Sequence, residues 1–249
     1  MKRTLLAVVI AFAVLSAGRA SVVADPSELS SVMDKYVRAT GGREVLSKIH
    51  TMHTVYKSTL LGHVIAVETT VKIPFFFLQV VQPMDSTAKM TFGFDGKTAW
   101  MQGADGVVHI LHGEKRAEII SEAVGANGSE IFANRWPTVV TLKPAETING
   151  KSYAVLSIKA KDGVTHDEFI DPETNMPVIE RVVEENATSI SVVEAFGKGP
   201  MGELQARIIT TTRSDGPQVT SVLREAQDNA KVSNSIFAPP LSSKGASTI

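Results

Sequence analysis

The chain has 249 residues, is 43% hydrophobic and 20% charged, and carries a formal net charge of −1. That near-neutral balance, with no basic stretch, excludes the electrostatic footprint that a nucleic-acid partner needs. Zero cysteines exclude a disulfide framework, thiol chemistry and a lipid anchor on an N-terminal cysteine.

Lys2 and Arg3 precede an apolar run, Leu5 to Leu15, followed by small residues. This reads as a secretory signal peptide over residues 1–24, cut after Ala24 or, alternatively, after Ala20. Its removal leaves 22 basic against 26 acidic side chains, a net charge of −4. No other apolar run approaches the ~18 residues a membrane span requires. A soluble periplasmic protein is therefore expected, with one domain over 25–240 and a loose tail over 241–249.

Asp25-Pro26-Ser27-Glu28 reads as a helix start, with Asp25 as N-cap, Pro26 at the first helical position and Glu28 closing a capping box. Leu29, Val32, Met33, Tyr36 and Val37 then recur at helical spacing, so one face must be buried. Gly41-Gly42 ends this helix, and a second short one follows from Arg43 to Ile49.

From Thr51 the period switches to two, through Thr51–Leu61 and His63–Ile73. Pro74 precedes Phe75 to Val81, a strand apolar on both faces, which asks for cover on both sides or for a ligand on one. Thr91 to Gly113 reads as three short strands separated by Asp95-Gly96 and Ala104-Asp105-Gly106. Asp-Gly predicts a primed two-residue turn at the first of these. Glu114 to Val124 is helical again, and Gly125 to Pro137 reads as a loop or broken helix crossing the mouth of a curled sheet, anchored by Trp136. Strands are then predicted at Val139–Ile148, Lys151–Ala160, Thr165–Ile170, Pro177–Glu184, Thr188–Phe196, Leu204–Arg213 and Gln218–Ala226. The turn-punctuated series describes an antiparallel meander.

No catalytic constellation stands out. His50 and His53, like His109 and His112, are three residues apart, which on a strand puts the two rings on opposite faces. HExxH and Gly-x-Ser-x-Gly are absent, and Gly197-Lys198-Gly199 lacks the context of a phosphate loop. No metal, no cofactor and no catalytic residue is expected. What remains is a surplus of apolar strand faces, open to two readings: an ordinary core, or a ligand cavity.

Three stretches together resemble the LolA-like family of outer-membrane lipoprotein-sorting proteins. They are Met33 to Glu44 (MDKYVRATGGRE), Gly93 to Trp100 (GFDGKTAW) with His112-Gly113-Glu114, and Ile148 to Val155 (INGKSYAV) with Phe169 to Thr174 (FIDPET). With Asn234 to Pro240 they span nearly the whole mature chain in the family's order. The resemblance implies an unclosed antiparallel half-barrel, mainly β, with helices packed in its concave face. It also implies acyl chains bound there without covalent chemistry.

The expected function is a monomeric periplasmic carrier or chaperone for an acylated lipoprotein or other lipid, served by a membrane-bound donor or acceptor. A lipid-sensing domain that regulates a membrane partner is the alternative, and an unrecognised hydrolase a third reading. The residues expected to line the cavity are Ile65, Val67, Val71 and Ile73 on one strand, Phe76, Leu78 and Val80 on the next, and Phe92, Phe94 and Trp100 of the central hairpin.

Overall fold

The computed structural model describes residues 26–132, 134–184 and 187–240, and the backbone of 246–248. The expected signal peptide and the Asp25 cap lie outside the described residues. Helix α1 (Pro26–Ala39) is followed by the short α2 (Arg43–Ser47). Six strands follow: β1 (Thr51–Leu60), β2 (His63–Lys72), β3 (Phe76–Pro83), β4 (Met90–Phe94), β5 (Ala99–Gln102) and β6 (Val108–Ile110). After α3 (Gly113–Ala126) come β7 (Thr138–Ile148), β8 (Lys151–Ala160), β9 (Thr165–Ile170), β10 (Pro177–Val183), β11 (Thr188–Lys198), β12 (Leu204–Arg213) and β13 (Val219–Asp228). A 3-10 turn, Asn234–Phe237, and β14 (Ala246–Thr248) complete the described chain.

All strands form one sheet in the order β14-β6-β5-β4-β3-β2-β1-β13-β12-β11-β10-β9-β8-β7. Every pairing is antiparallel except β14 on β6, which is parallel. The chain enters at the middle of the sheet and steps outward to β6. It then crosses by α3 and the 127–137 segment to the far edge at β7, and steps back until β13 lies beside β1. The sheet does not close, and β7 and β14 are its edges. This is the antiparallel meander that the turn residues predict and the unclosed half-barrel that the family resemblance implies.

The helices form where the sequence period says they should. Tyr36 and Val37 of α1 are buried, and Gly42 N–H donates to Val37 O at 2.8 Å to end the helix. Tyr36 packs with Leu156, Ile158 and Ile170 of the sheet, joined by Leu29, Val32 and Met33. Ile120, Ala123 and Val124 of α3 pack on Val71, Phe77, Phe94 and Ala99. Trp136 anchors the crossing segment as expected. Its ring meets Phe75 and Phe94 edge-on, each at 5.7 Å, and its Nε1 donates to Lys161 O at 3.0 Å.

The central turn corrects the sequence reading. Phe94 pairs with Ala99, so the connection has four residues, Asp95 to Thr98, rather than two. Only Gly96 takes a positive φ (91°), and Asp95 does not. Asp95 Oδ1 instead accepts from Lys97 N at 2.9 Å and Thr98 N at 2.7 Å, so the aspartate side chain builds the turn. Primed two-residue turns occur elsewhere, at Leu61-Gly62 (φ 49° and 85°) and Asn149-Gly150 (φ 50° and 81°).

Candidate ligand-binding hollow

Residues directly opposed across an antiparallel pair share a face of the sheet. The three-residue connection from Ile73 to Phe75 pairs Lys72 with Phe76 and Val71 with Phe77. Odd-numbered residues of β2 therefore oppose odd-numbered residues of β3. Phe77 opposes Phe94, and Gln79 opposes Phe92. The face carrying Ile65, Val67, Val71, Phe77, Val81, Phe92 and Phe94 is the one α3 covers. It is called the inner face.

This register divides the expected cavity set. Ile65, Val67, Val71, Phe92 and Phe94 lie on the inner face, and Ile73 sits just past the end of β2. Phe76, Leu78, Val80 and Trp100 lie on the outer face, because Leu78 opposes Gly93 and Gly93 opposes Trp100. The expectation that all ten face the concavity is therefore corrected for these four. The C-terminal 3-10 turn packs against two of them. Trp100 Nε1 donates to Phe237 O at 2.8 Å, and the Phe76 and Phe237 rings lie 5.3 Å apart. The chain's other end thus covers the Phe76 end of the outer face of β3, while Leu78 and Val80 stay half-buried.

Of the five inner-face residues, Val71 and Phe94 are fully buried beneath α3. Ile65, Val67 and Phe92 are only half-buried, as are Val81 and Tyr56, which the sequence reading passed over. Tyr56 opposes Val67 and Val67 opposes Val81, so these side chains form one apolar strip across β1, β2 and β3. The strip runs toward the β1–β2 turn, away from α3. There it opens into an apolar cavity of about 420 Å³ lined by Leu60, Leu61, His63, Ile65, Pro83, Asp85 and Ser86. A second, shallower cavity of about 520 Å³ is polar and lies against the end of α1, between Lys35, Arg38, Pro172 and Thr174.

The opposite half of the inner face is acidic. Glu168 of β9 stands directly opposite Glu180 of β10, and Glu168 also opposes Leu156 in the layer beneath Tyr36. Tyr36 Oη donates to Glu130 Oε1 at 3.5 Å. Glu122 of α3 is exposed. Burial, reinforced by Glu130 and Glu180, pushes the Glu168 carboxyl well above the carboxylate range. Burial likewise lifts Glu130 to about 7, against the opposing pull of its own backbone hydrogen bond and Arg135. Glu168 Oε2 has no hydrogen-bond partner among the described residues. Nothing in the strand pattern announced this cluster, since glutamates on short β-strands ordinarily read as solvated.

Among the described residues no group of three His, Asp or Glu side chains is placed to hold a metal ion. The paired histidines diverge: His53 Nδ1 meets Thr70 Oγ1 at 3.0 Å, while His50 uses its backbone N–H to reach Asn229 Oδ1. His112 is the residue before α3, and His109 lies on β6. The arrangement offers a half-open apolar strip with an acidic flank.

No protein-family model and no curated protein matches the chain. Solved structures do. A LolA superfamily protein from Nitrosomonas europaea superposes with a TM-score of 0.56 at 12% identity, over 84% of this chain and 96% of that one. A DUF1329 family protein from Desulfovibrio piger gives 0.54 at 14% identity, again over 84% and 96%. A domain assigned as an outer-membrane lipoprotein-sorting protein, from Vibrio parahaemolyticus, gives 0.52 at 10% identity over 82% and 97%. Such identities establish architecture, and the architecture of this chain is the LolA-like unclosed half-barrel.

Proposed function

We propose that the chain is an exported, non-enzymatic carrier that holds the acyl part of a lipid or lipoprotein in its half-barrel. The observation that carries this reading is the strip of Tyr56, Ile65, Val67, Val81 and Phe92. These side chains are apolar, inward-facing and only half-buried, in a domain that buries comparable residues fully elsewhere. Each methylene withdrawn from water there contributes about 0.8 kcal/mol, so a short length of acyl chain gives useful affinity. The fold shared with lipoprotein-sorting domains supports the same ligand class. Export is supported by the Leu5–Leu15 run. No helix among the described residues is long and apolar enough to cross a membrane.

The test is displacement of a fluorescent fatty-acyl probe, with mass spectrometry of lipid that co-purifies. The parent protein is expected to bind the probe, and Val67→Asp to lose binding while keeping a cooperative melt. A parent protein that binds neither probe nor lipid would leave only the fold.

A further inference from the structure

The described surface carries nine exposed large hydrophobic side chains, and they are not scattered evenly. Because the strands alternate in direction, the turns after β1, β3, β5, β8, β10 and β12 and the start of β7 all lie at one end of the sheet. Leu61 and Met84 lie in these turns; Val64, Met90, Val139 and Val183 are the first, second or last residues of the adjoining strands. Ile190 and Val192 sit on the half of β11 nearer the same end. Only Ile236, in the 3-10 turn, lies elsewhere.

Leu61 is the sharpest case. It is 78% exposed, and it occupies the first position of a primed turn at φ 49°. The matching position of the other primed hairpin is Asn149 at φ 50°, the residue type that tolerates this conformation. Neither backbone geometry nor packing explains a leucine there. Met84 N–H donates to Val64 O at 2.9 Å, and His63 lies 3.7 Å from Asp85, so the β1–β2 and β3–β4 tips are held together. The apolar cavity opens between them.

We propose that this rim is a membrane-docking edge that inserts its apolar side chains shallowly into a lipid bilayer surface. The distribution favours a bilayer over a protein. A protein partner needs a contiguous patch with a desolvated centre. The turn and strand-end residues among them are instead spread from β4 to β7, across strands about 4.8 Å apart, at one rim of the sheet, while Ile190 and Val192 lie further along β11. A fluid apolar layer needs no contiguous patch and takes up the apolar tips one by one. The turns of this rim carry Asp85, Asp105, Asp162, Glu184 and Asp215 against Lys89 and Lys161. Docking therefore runs on apolar insertion and needs no anionic lipid. The proposal rests on the carrier reading for its purpose: a ligand passes between bilayer and hollow at the cavity mouth without crossing water.

The experiment is co-sedimentation of the exported protein with zwitterionic phosphatidylcholine vesicles, with soluble acyl-probe binding measured in parallel. The variants are the triple Leu61→Asn, Met84→Gln, Val183→Thr and, as control, Ile236→Asn. Leu61→Asn suits the turn it enters, so the triple variant should fold. Binding is expected to fall at least tenfold in the triple variant, to persist in the control, and to survive about 0.5 M salt. Acyl-probe binding should be unchanged in Ile236→Asn and in the double variant Met84→Gln, Val183→Thr, neither of which touches the cavity lining. No vesicle binding by the parent, equal loss in Ile236→Asn, or loss of binding in salt would each overturn the docking edge. So would a parent dimer that the triple variant dissolves, which assigns the rim to a second copy. Loss of probe binding in the parent, with vesicle binding intact, would fell the carrier reading and leave the rim.

Discussion

Glu168 and Glu180 face each other directly across β9 and β10 on the inner face of the half-barrel. Burial, reinforced by Glu130 and by the like charge directly opposite, keeps the proton on Glu168. Burial raises Glu168 well above the usual range and Glu130 to about 7, from an ordinary value of 4.5. Both groups thus bind protons more tightly folded than unfolded. Their contribution is complete below about pH 4.5 and is lost as pH rises through 7. Asp167 and Asp171, whose burial is outweighed by hydrogen bonds from Lys143 and Lys151, stay low and finish titrating beneath this window. Buried His166, held below its ordinary value, works the other way up to about pH 6.5, so the melting temperature should fall from there to pH 8. Glu168→Gln should recover stability at pH 8 and change little at pH 5. An equal effect at both pH values would mean that Glu168 is ionised throughout.

The outer cover depends on the indole of Trp100. A Cβ built on Gly93 would lie 2.4 Å from Trp100 Cε2, so only glycine lets the ring lie flat across β4 and reach Phe237 O. Gly93→Ala should cost about 1–3 kcal/mol by overpacking. Trp100→Phe keeps the apolar bulk but leaves the Phe237 carbonyl unpaired, at about 1–3 kcal/mol. It should also expose the 234–240 segment to protease before the sheet unfolds, visible as an early C-terminal clip in limited proteolysis.

Phe77→Ala and Leu78→Ala test the register itself. Phe77 is 1% exposed beneath α3, and its truncation should cost about 3–5 kcal/mol. Leu78 is half-buried on the outer face and should cost less. A one-residue slip reverses that order, because it exchanges every side chain between the faces. Thermal melts of the two variants decide it.

The strands were legible because period two and turn residues are local signals, and most predicted ends lie within two residues of the observed ones. The faces were less so. Alternation within β2 and within β3 is plain, but which residues of each strand stand together depends on the three-residue connection Ile73 to Phe75. Choosing Phe76, Leu78 and Val80 over Phe77 and Val81 was a parity error at that connection. The central β1–β13 pairing joins residues up to 176 positions apart (Met52 with Asp228), and no local pattern encodes it. Within the terminal stretch expected as a tail, Ala246–Thr248 pairs with β6, again a non-local contact.

The two primed hairpins carry the last prediction. Leu61-Gly62 and Asn149-Gly150 make the same turn to within a few degrees of φ, yet one places leucine where the other places asparagine. A non-glycine side chain in the left-handed region is strained by roughly 1–2 kcal/mol, and asparagine relieves part of this. Leu61→Asn alone should therefore raise stability by about 0.5–1 kcal/mol, and Asn149→Leu should lower it by a similar amount. Both changes sit at exposed tips, so packing contributes little to either. If stability alone had shaped the β1–β2 tip, asparagine would serve there as it does at residue 149. A Leu61→Asn variant that melts higher while binding vesicles less tightly shows that the leucine is kept for contact rather than for folding. A variant that melts lower would mean that Leu61 is held by packing, and would remove the argument that its exposure serves a partner.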